Sequence, residues 1–66
     1  MSVKYPEIEV ALLGNDGNAF AILGAVSSAM KRASVPQAER DAFYAEATAG
    51  DYDELLRTVM RWVEVV

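Results

Sequence analysis

An α+β fold is predicted by three observations: a period-two run near the N-terminus, three stretches with helical apolar spacing, and a β-branched ending. The expected order is an N-terminal strand, three helices and a short C-terminal strand. The two strands are expected to form a small antiparallel or intersubunit sheet packed on the helices. All 66 residues fit a single domain, 1–66.

The strand comes first. From Glu7 to Leu13, Ile8, Val10 and Leu12 alternate with Glu7, Glu9 and Ala11, which is the pattern of a half-buried strand. Pro6 marks its start and Gly14 its end, and the following GNDG tolerates positive φ and favours a turn. Asn18 is placed to cap the first helix, with Asp16 as a competing cap. Behind it Phe20, Leu23, Val26 or Ser27, and Met30 recur at helical spacing, broadened by Ile22, Ala29 and Ala33. Lys31 and Arg32 fall in the last turns, where positive charge complements the helix dipole. A glycine inside a helix is costly unless another element approaches closely, so a close crossing is expected at Gly24.

Ser34 is the expected cap of the second helix, with Gln37 three residues on and Pro36 in the first turn. Its apolar surface is thin: Ala38, Ala42, Ala45 and Ala47 around Phe43, until Gly50 stops it. Asp51 and Glu54 then make a second capping pattern ahead of Leu55, Leu56, Val59, Met60 and Val63 on one face, and Asp53 is spaced to pair with Arg57. The final WVEVV fits either a continued helix or a strand pairing with residues 7 to 13.

Composition narrows the function. Neither Cys nor His is present, which removes disulfides, the usual zinc sites and any Cys or His nucleophile or base. A chain this short buries only about 60 % of its unfolded surface, and 53 % of its residues are apolar. Oligomerisation, with a dimer favoured, is the compensation still open to it. Ten acidic residues against six basic ones give a net charge of −4, which opposes binding to nucleic-acid phosphates. The longest uncharged stretch, 19–30, is too short to span a bilayer, and the N-terminus lacks the basic-then-apolar layout of a secretory signal. A cytoplasmic protein is expected, without membrane association.

Three stretches resemble functional sites. LLGNDGNAFAILG, residues 12–24, has Gly14, Gly17 and Gly24, but matches neither GxGxxG nor the P-loop spacing, and Asp16 would repel a phosphate. A strand-to-helix turn explains it. AGDYDELL, residues 49–56, gathers three carboxylates without the spacing of a calcium loop, and helix-start chemistry accounts for them. Glu7 and Glu9 share a strand face, where they are solvated carboxylates rather than an acid and base converging on a pocket. No catalytic residue, metal or cofactor is therefore expected. Lys31, Arg32 and Arg40 form a candidate basic patch, too small and lacking interleaved aromatics for a strong nucleic-acid footprint. A helix-turn-helix reading of ASVPQAE fails on the acids of its second helix, Glu39 and Asp41. The candidate interface residues are Trp62, Tyr52, Tyr44 and Val65. Trp62, Tyr5, Tyr44 and Tyr52 are, as aromatic residues of so small a domain, expected more often as core anchors than as interface hot spots, and for Trp62 a core role or a subunit interface acting as core is favoured over a site for a foreign partner.

DGNAFAILG (16–24) together with GDYDELLRTVMRWVEV (50–65) resembles a recurrent core in small proteins of bacteria, their phages and other mobile elements. The resemblance covers most of the chain and implies a compact αβ unit in such a setting. That family carries no assigned activity, so no site residue is transferred. The function expected is that of a small non-enzymatic accessory protein that occupies a host or phage protein, with inhibition of a host defence complex as one form of it. The rivals are a nucleic-acid-binding regulator using Lys31, Arg32 and Arg40, and an oligomer that holds a small ligand between subunits.

Overall fold

The structure, a computed structural model, describes residues 3–11 and 18–66. Its elements run β1 (Tyr5–Val10), α1 (Ala19–Arg32), α2 (Gln37–Ala47), α3 (Tyr52–Trp62) and β2 (Val63–Val65). The α+β class and the element order are as predicted, and residues 61–66 divide between helix and strand at Trp62. The strands are parallel, not antiparallel. Three helices intervene between them, and such a helical crossover is what parallel neighbours require. α3 hands over directly to β2 through an extended Val63 (φ −136°, ψ 166°), which pairs with Tyr5 of β1.

Tyr5 pairs with Val63, Glu9 with Glu64 and Val10 with Val65. Pro6, Glu7 and Ile8 therefore lie between two pairs that are adjacent on β2. Pro6 is inside the strand rather than ahead of it, and because it has no N–H it belongs in such an irregular segment. Ile8, Val10 and Val63 turn into the core, while Glu7, Glu9 and Glu64 face solvent. Leu12, Leu13 and the GNDG turn lie outside the described residues.

Asn18 caps α1, its side-chain oxygen accepting the N–H of Ala21 at 3.0 Å. Ile22, Leu23, Val26, Ala29 and Met30 are buried, but Phe20, expected on that stripe, is 80 % exposed. The rest of the stripe is buried as expected at Leu23, Val26 and Met30, and Phe20, in the first turn of α1, stands clear of the core. The expected close crossing at Gly24 is absent: a Cβ built there meets nothing within 4 Å.

Ser34 does not cap α2. It ends α1 instead, at φ 65°, with its N–H donated to the Lys31 carbonyl (3.0 Å) and that of Val35 to Met30 (2.9 Å). This is the paired hydrogen bonding of a Schellman ending, which normally places Gly at the left-handed position. A residue in that conformation cannot also adopt the extended backbone of a cap. Pro36 takes the cap position of α2 without a side-chain bond. That helix buries only Phe43 and Ala47, and it ends at Thr48, before Gly50, with the Thr48 hydroxyl donating to the Tyr44 carbonyl at 2.7 Å.

Asp51 caps α3 as expected, accepting the Glu54 N–H at 3.0 Å. Leu55, Thr58, Val59 and Trp62 form its buried face, whereas Met60 is 53 % exposed. The expected Asp53–Arg57 pair is replaced by Arg57 Nε facing Glu54 Oε1 at 3.6 Å. No described helix is long and apolar enough to cross a membrane.

Candidate functional site

Trp62 is the last residue of α3, only 6 % exposed, and sits at the junction of β1, α2 and α3. Tyr5 stacks on it at 6.1 Å between ring centroids, and Phe43 meets it edge-on at 5.7 Å. Lys4 Nζ lies 4.3 Å from the ring centroid, within cation–π range. The indole N–H donates to Glu46 Oε1 at 3.1 Å. Its core role is thus filled within one chain.

Two charged clusters frame this residue. Glu39 accepts from Lys4 Nζ at 2.7 Å and from the Tyr5 hydroxyl at 3.0 Å, tying the N-terminal strand to α2. Arg61 Nη2 donates to Glu46 Oε2 at 2.7 Å, Glu54 Oε2 at 3.0 Å and Thr58 Oγ1 at 3.0 Å, tying α3 to α2. The fully buried Thr58 is satisfied by this network. The Lys4 N–H adds a backbone bond to the Arg61 carbonyl at 2.9 Å.

These contacts set the protonation states. The Lys4 ammonium, then the Tyr5 hydroxyl, hold the Glu39 carboxyl below its ordinary range. Arg61, then the Trp62 N–H, do the same for Glu46, and Arg61 for Glu54. Lys4 is raised, chiefly by its bond to Glu39, and Tyr5 by loss of solvent and then by Glu39. The carboxylates move away from neutrality, the opposite of what a general base at neutral pH requires. They act as acceptors and struts.

Beside the network lies an open hollow of about 750 Å³, within the usual range for ligand sites. Val3, Met60 and Trp62 supply its apolar lining, and Lys4, Glu46, Arg57 and Arg61 its charged rim. Compared with known protein families, curated proteins and solved structures, the chain matches none. The site must be read from its own chemistry.

The candidate interface residues do not form one surface. Trp62 and Tyr52 stand at opposite ends of the 11-residue α3, roughly 15 Å apart along its axis. Tyr52 borders a smaller hollow with Ala19, Leu23 and Leu55, Tyr44 is 49 % exposed on α2, and Val65 packs half-buried on the core. In the candidate basic patch, Lys31 and Arg32 are exposed at the end of α1, but Arg40 is half-buried with its Nε donated to the Val35 carbonyl at 3.2 Å. Among the described residues no group of three or more acidic side chains could hold a metal ion. In the 49–56 segment Asp51 caps α3 and Glu54 serves Arg61. Glu9 stands beside Glu64 on the open face of the sheet.

The hollow's charged lining was missed from sequence. Glu54, Arg57 and Arg61 share one helix face by spacing, which is a readable signal. The link from Glu46 to Arg61 crosses 15 residues between two helices and has none.

Proposed function

We propose that the chain is a small non-enzymatic binding protein that occupies another protein through the hollow beside Trp62. One observation carries this reading. Met60 exposes half its surface on an otherwise amphipathic helix, at the apolar wall of a hollow whose charged rim is held by hydrogen bonds. Exposed apolar side chains that line a concavity with polar surroundings are the usual anatomy of a recognition site. A phage or mobile-element setting, with a host or phage protein as the occupied partner and a defence complex as one such partner, rests on the DGNAFAILG and GDYDELLRTVMRWVEV blocks.

The test compares affinity capture from a bacterial host lysate with the tagged wild-type chain and with Met60→Glu. Met60 is exposed enough for the charge to leave folding intact, as far-UV circular dichroism would verify. A partner captured by the wild type and lost with Met60→Glu supports the reading. A partner set unchanged by Met60→Glu removes the hollow from it.

Phe20, at 80 % exposure, favours a second reading, self-association as a dimer. Light scattering on the wild type and on Phe20→Ser tests it: a dimer that persists in the variant excludes this face.

A further inference from the structure

We infer that the segment received by the hollow is an acidic peptide carrying an aliphatic anchor. This inference rests on the protein-binding reading and names the chemistry of the partner.

Charge is the first argument. The chain is acidic, with a net charge of −4, yet three of its six Lys and Arg residues line this one hollow. The single carboxylate in the lining, Glu46, is already used at both oxygens, Oε1 by the Trp62 N–H and Oε2 by Arg61. An incoming cation would therefore share each Glu46 oxygen with a donor already bound to it.

Donor capacity is the second. Arg57 has a 60 % exposed side chain, and its ion-pair contact with Glu54, at 3.6 Å, is too long for a hydrogen bond. A guanidinium offers five N–H donors in a fork that fits a carboxylate. Arg57 is thus the rim cation with donors to spare, while Lys4 and Arg61 are held in place by Glu39, Glu46 and Glu54. An incoming carboxylate finds its free donors at Arg57, the more exposed of the two arginines. A basic segment would find carboxylates already engaged by Lys4 and Arg61, and would meet the exposed Arg57 guanidinium.

The apolar lining is the third. Val3, Met60 and the edge of Trp62 accept one or two aliphatic side chains, which a bare anion would leave exposed to water. Acidic and apolar features together specify the occupant.

The experiment uses the whole chain and three capped hexapeptides: Asp-Glu-Leu-Leu-Glu-Asp, its basic twin Lys-Arg-Leu-Leu-Arg-Lys, and its neutral twin Asn-Gln-Leu-Leu-Gln-Asn. Binding is followed by the emission of Trp62, the single tryptophan, and by the NMR shift of its indole N–H. The acidic peptide is expected to saturate below about 1 mM and to bind at least about tenfold tighter than either twin, with the preference shrinking as salt screens it. Arg57→Glu should abolish the preference and Arg57→Lys should retain part of it, because charge survives but the fork does not. Equal binding of the three peptides, failure of the acidic one to saturate, or an unchanged preference in Arg57→Glu would overturn the inference. Displacement of the acidic peptide by a short single-stranded DNA of equal charge would also overturn it, by assigning the hollow to polyanions in general. If lysate capture remains sensitive to Met60→Glu while the peptides show no preference, the binding reading stands and only the acidic partner falls.

Discussion

Replacing Phe43 with Leu tests whether one chain completes its own core around Trp62. Phe43 is 1 % exposed and meets the Trp62 ring edge-on at 5.7 Å and 72°. Edge-to-face aromatic pairs contribute about 0.5–1.5 kcal/mol beyond area burial. The change of shape in a packed core adds up to about 1.5 kcal/mol. A loss of about 0.5–3 kcal/mol is expected, below the 3–5 kcal/mol typical of Phe→Ala. Against roughly 3–10 kcal/mol of total stability for 66 residues, the effect is large. At about 4–8 °C per kcal/mol for a domain of this size, Tm should fall by roughly 2–24 °C. Urea and thermal unfolding followed by Trp62 emission measure both quantities. Tyr44→Leu, one residue further along α2 and 49 % exposed, is the control and should shift stability by under about 0.5 kcal/mol. Equal effects of the two substitutions would refute the assignment of Phe43 to the core and of Tyr44 to the surface.

Gly24→Ala should stabilise the domain by about 0.5–1 kcal/mol, since a Cβ there meets nothing within 4 Å and glycine is disfavoured inside a helix; a loss in urea unfolding would restore the close crossing. Ser34→Gly should also stabilise, by up to about 1 kcal/mol, because Ser34 holds φ 65° at the end of α1; a fall in Tm would show that the serine side chain is needed there. Glu39, Glu46 and Glu54 have folded pKa values below their ordinary range, so their contribution is complete above the unfolded carboxylate pKa and is lost as pH falls through the folded values. Stability should therefore decline from about pH 5 downward, and Glu46→Gln should flatten that decline; an unchanged slope in the variant would separate Glu46 from the acid response.

Features set by neighbours in sequence were legible. Asn18 and Asp51 are recognisable as caps because each bonds an N–H three residues on, and the apolar spacing places Leu23, Val26 and Met30 of α1 and Leu55 and Val59 of α3 on faces that are buried, while Phe20 and Met60 on the same expected faces are exposed. Ser34 is ambiguous in sequence because two local conformations compete for it: a capping serine is extended, a helix-ending one is left-handed, and the packing of α1 against α2 selects the second. Phe20 and Gly24 went wrong for a similar reason. Periodicity gives the stripe but not where the neighbouring elements meet it. The direction of β2 depends on how three helices return the chain to β1, and nothing in VEVV carries that information. The hollow was least legible, since the contacts that frame it, Tyr5 with Glu39 and Arg61 with Glu46, join residues 34 and 15 apart in sequence.

The same contacts tie the stability of this fold to the recognition proposed for it. A two-stranded ribbon is marginal in water, and here β2 has three residues. The ribbon is held by its seam with the helices: Tyr5 on Trp62, Lys4 and Tyr5 on Glu39, and the Lys4 N–H on Arg61. Residues that fasten the seam also form the wall of the hollow, so Lys4, Glu46 and Arg61 are fixed before any partner arrives and the entropic cost of ordering them is met in folding. Among the described lining residues, Arg57 and Met60 are exposed on α3 and lie outside this hydrogen-bonded set, and with Val3 they are the side chains a partner would meet. A ligand that bridges Arg57 and the Val3–Met60 wall would close over the junction of the N-terminal strand with α3. It would bind the folded chain alone and so reinforce the seam that is weakest without it.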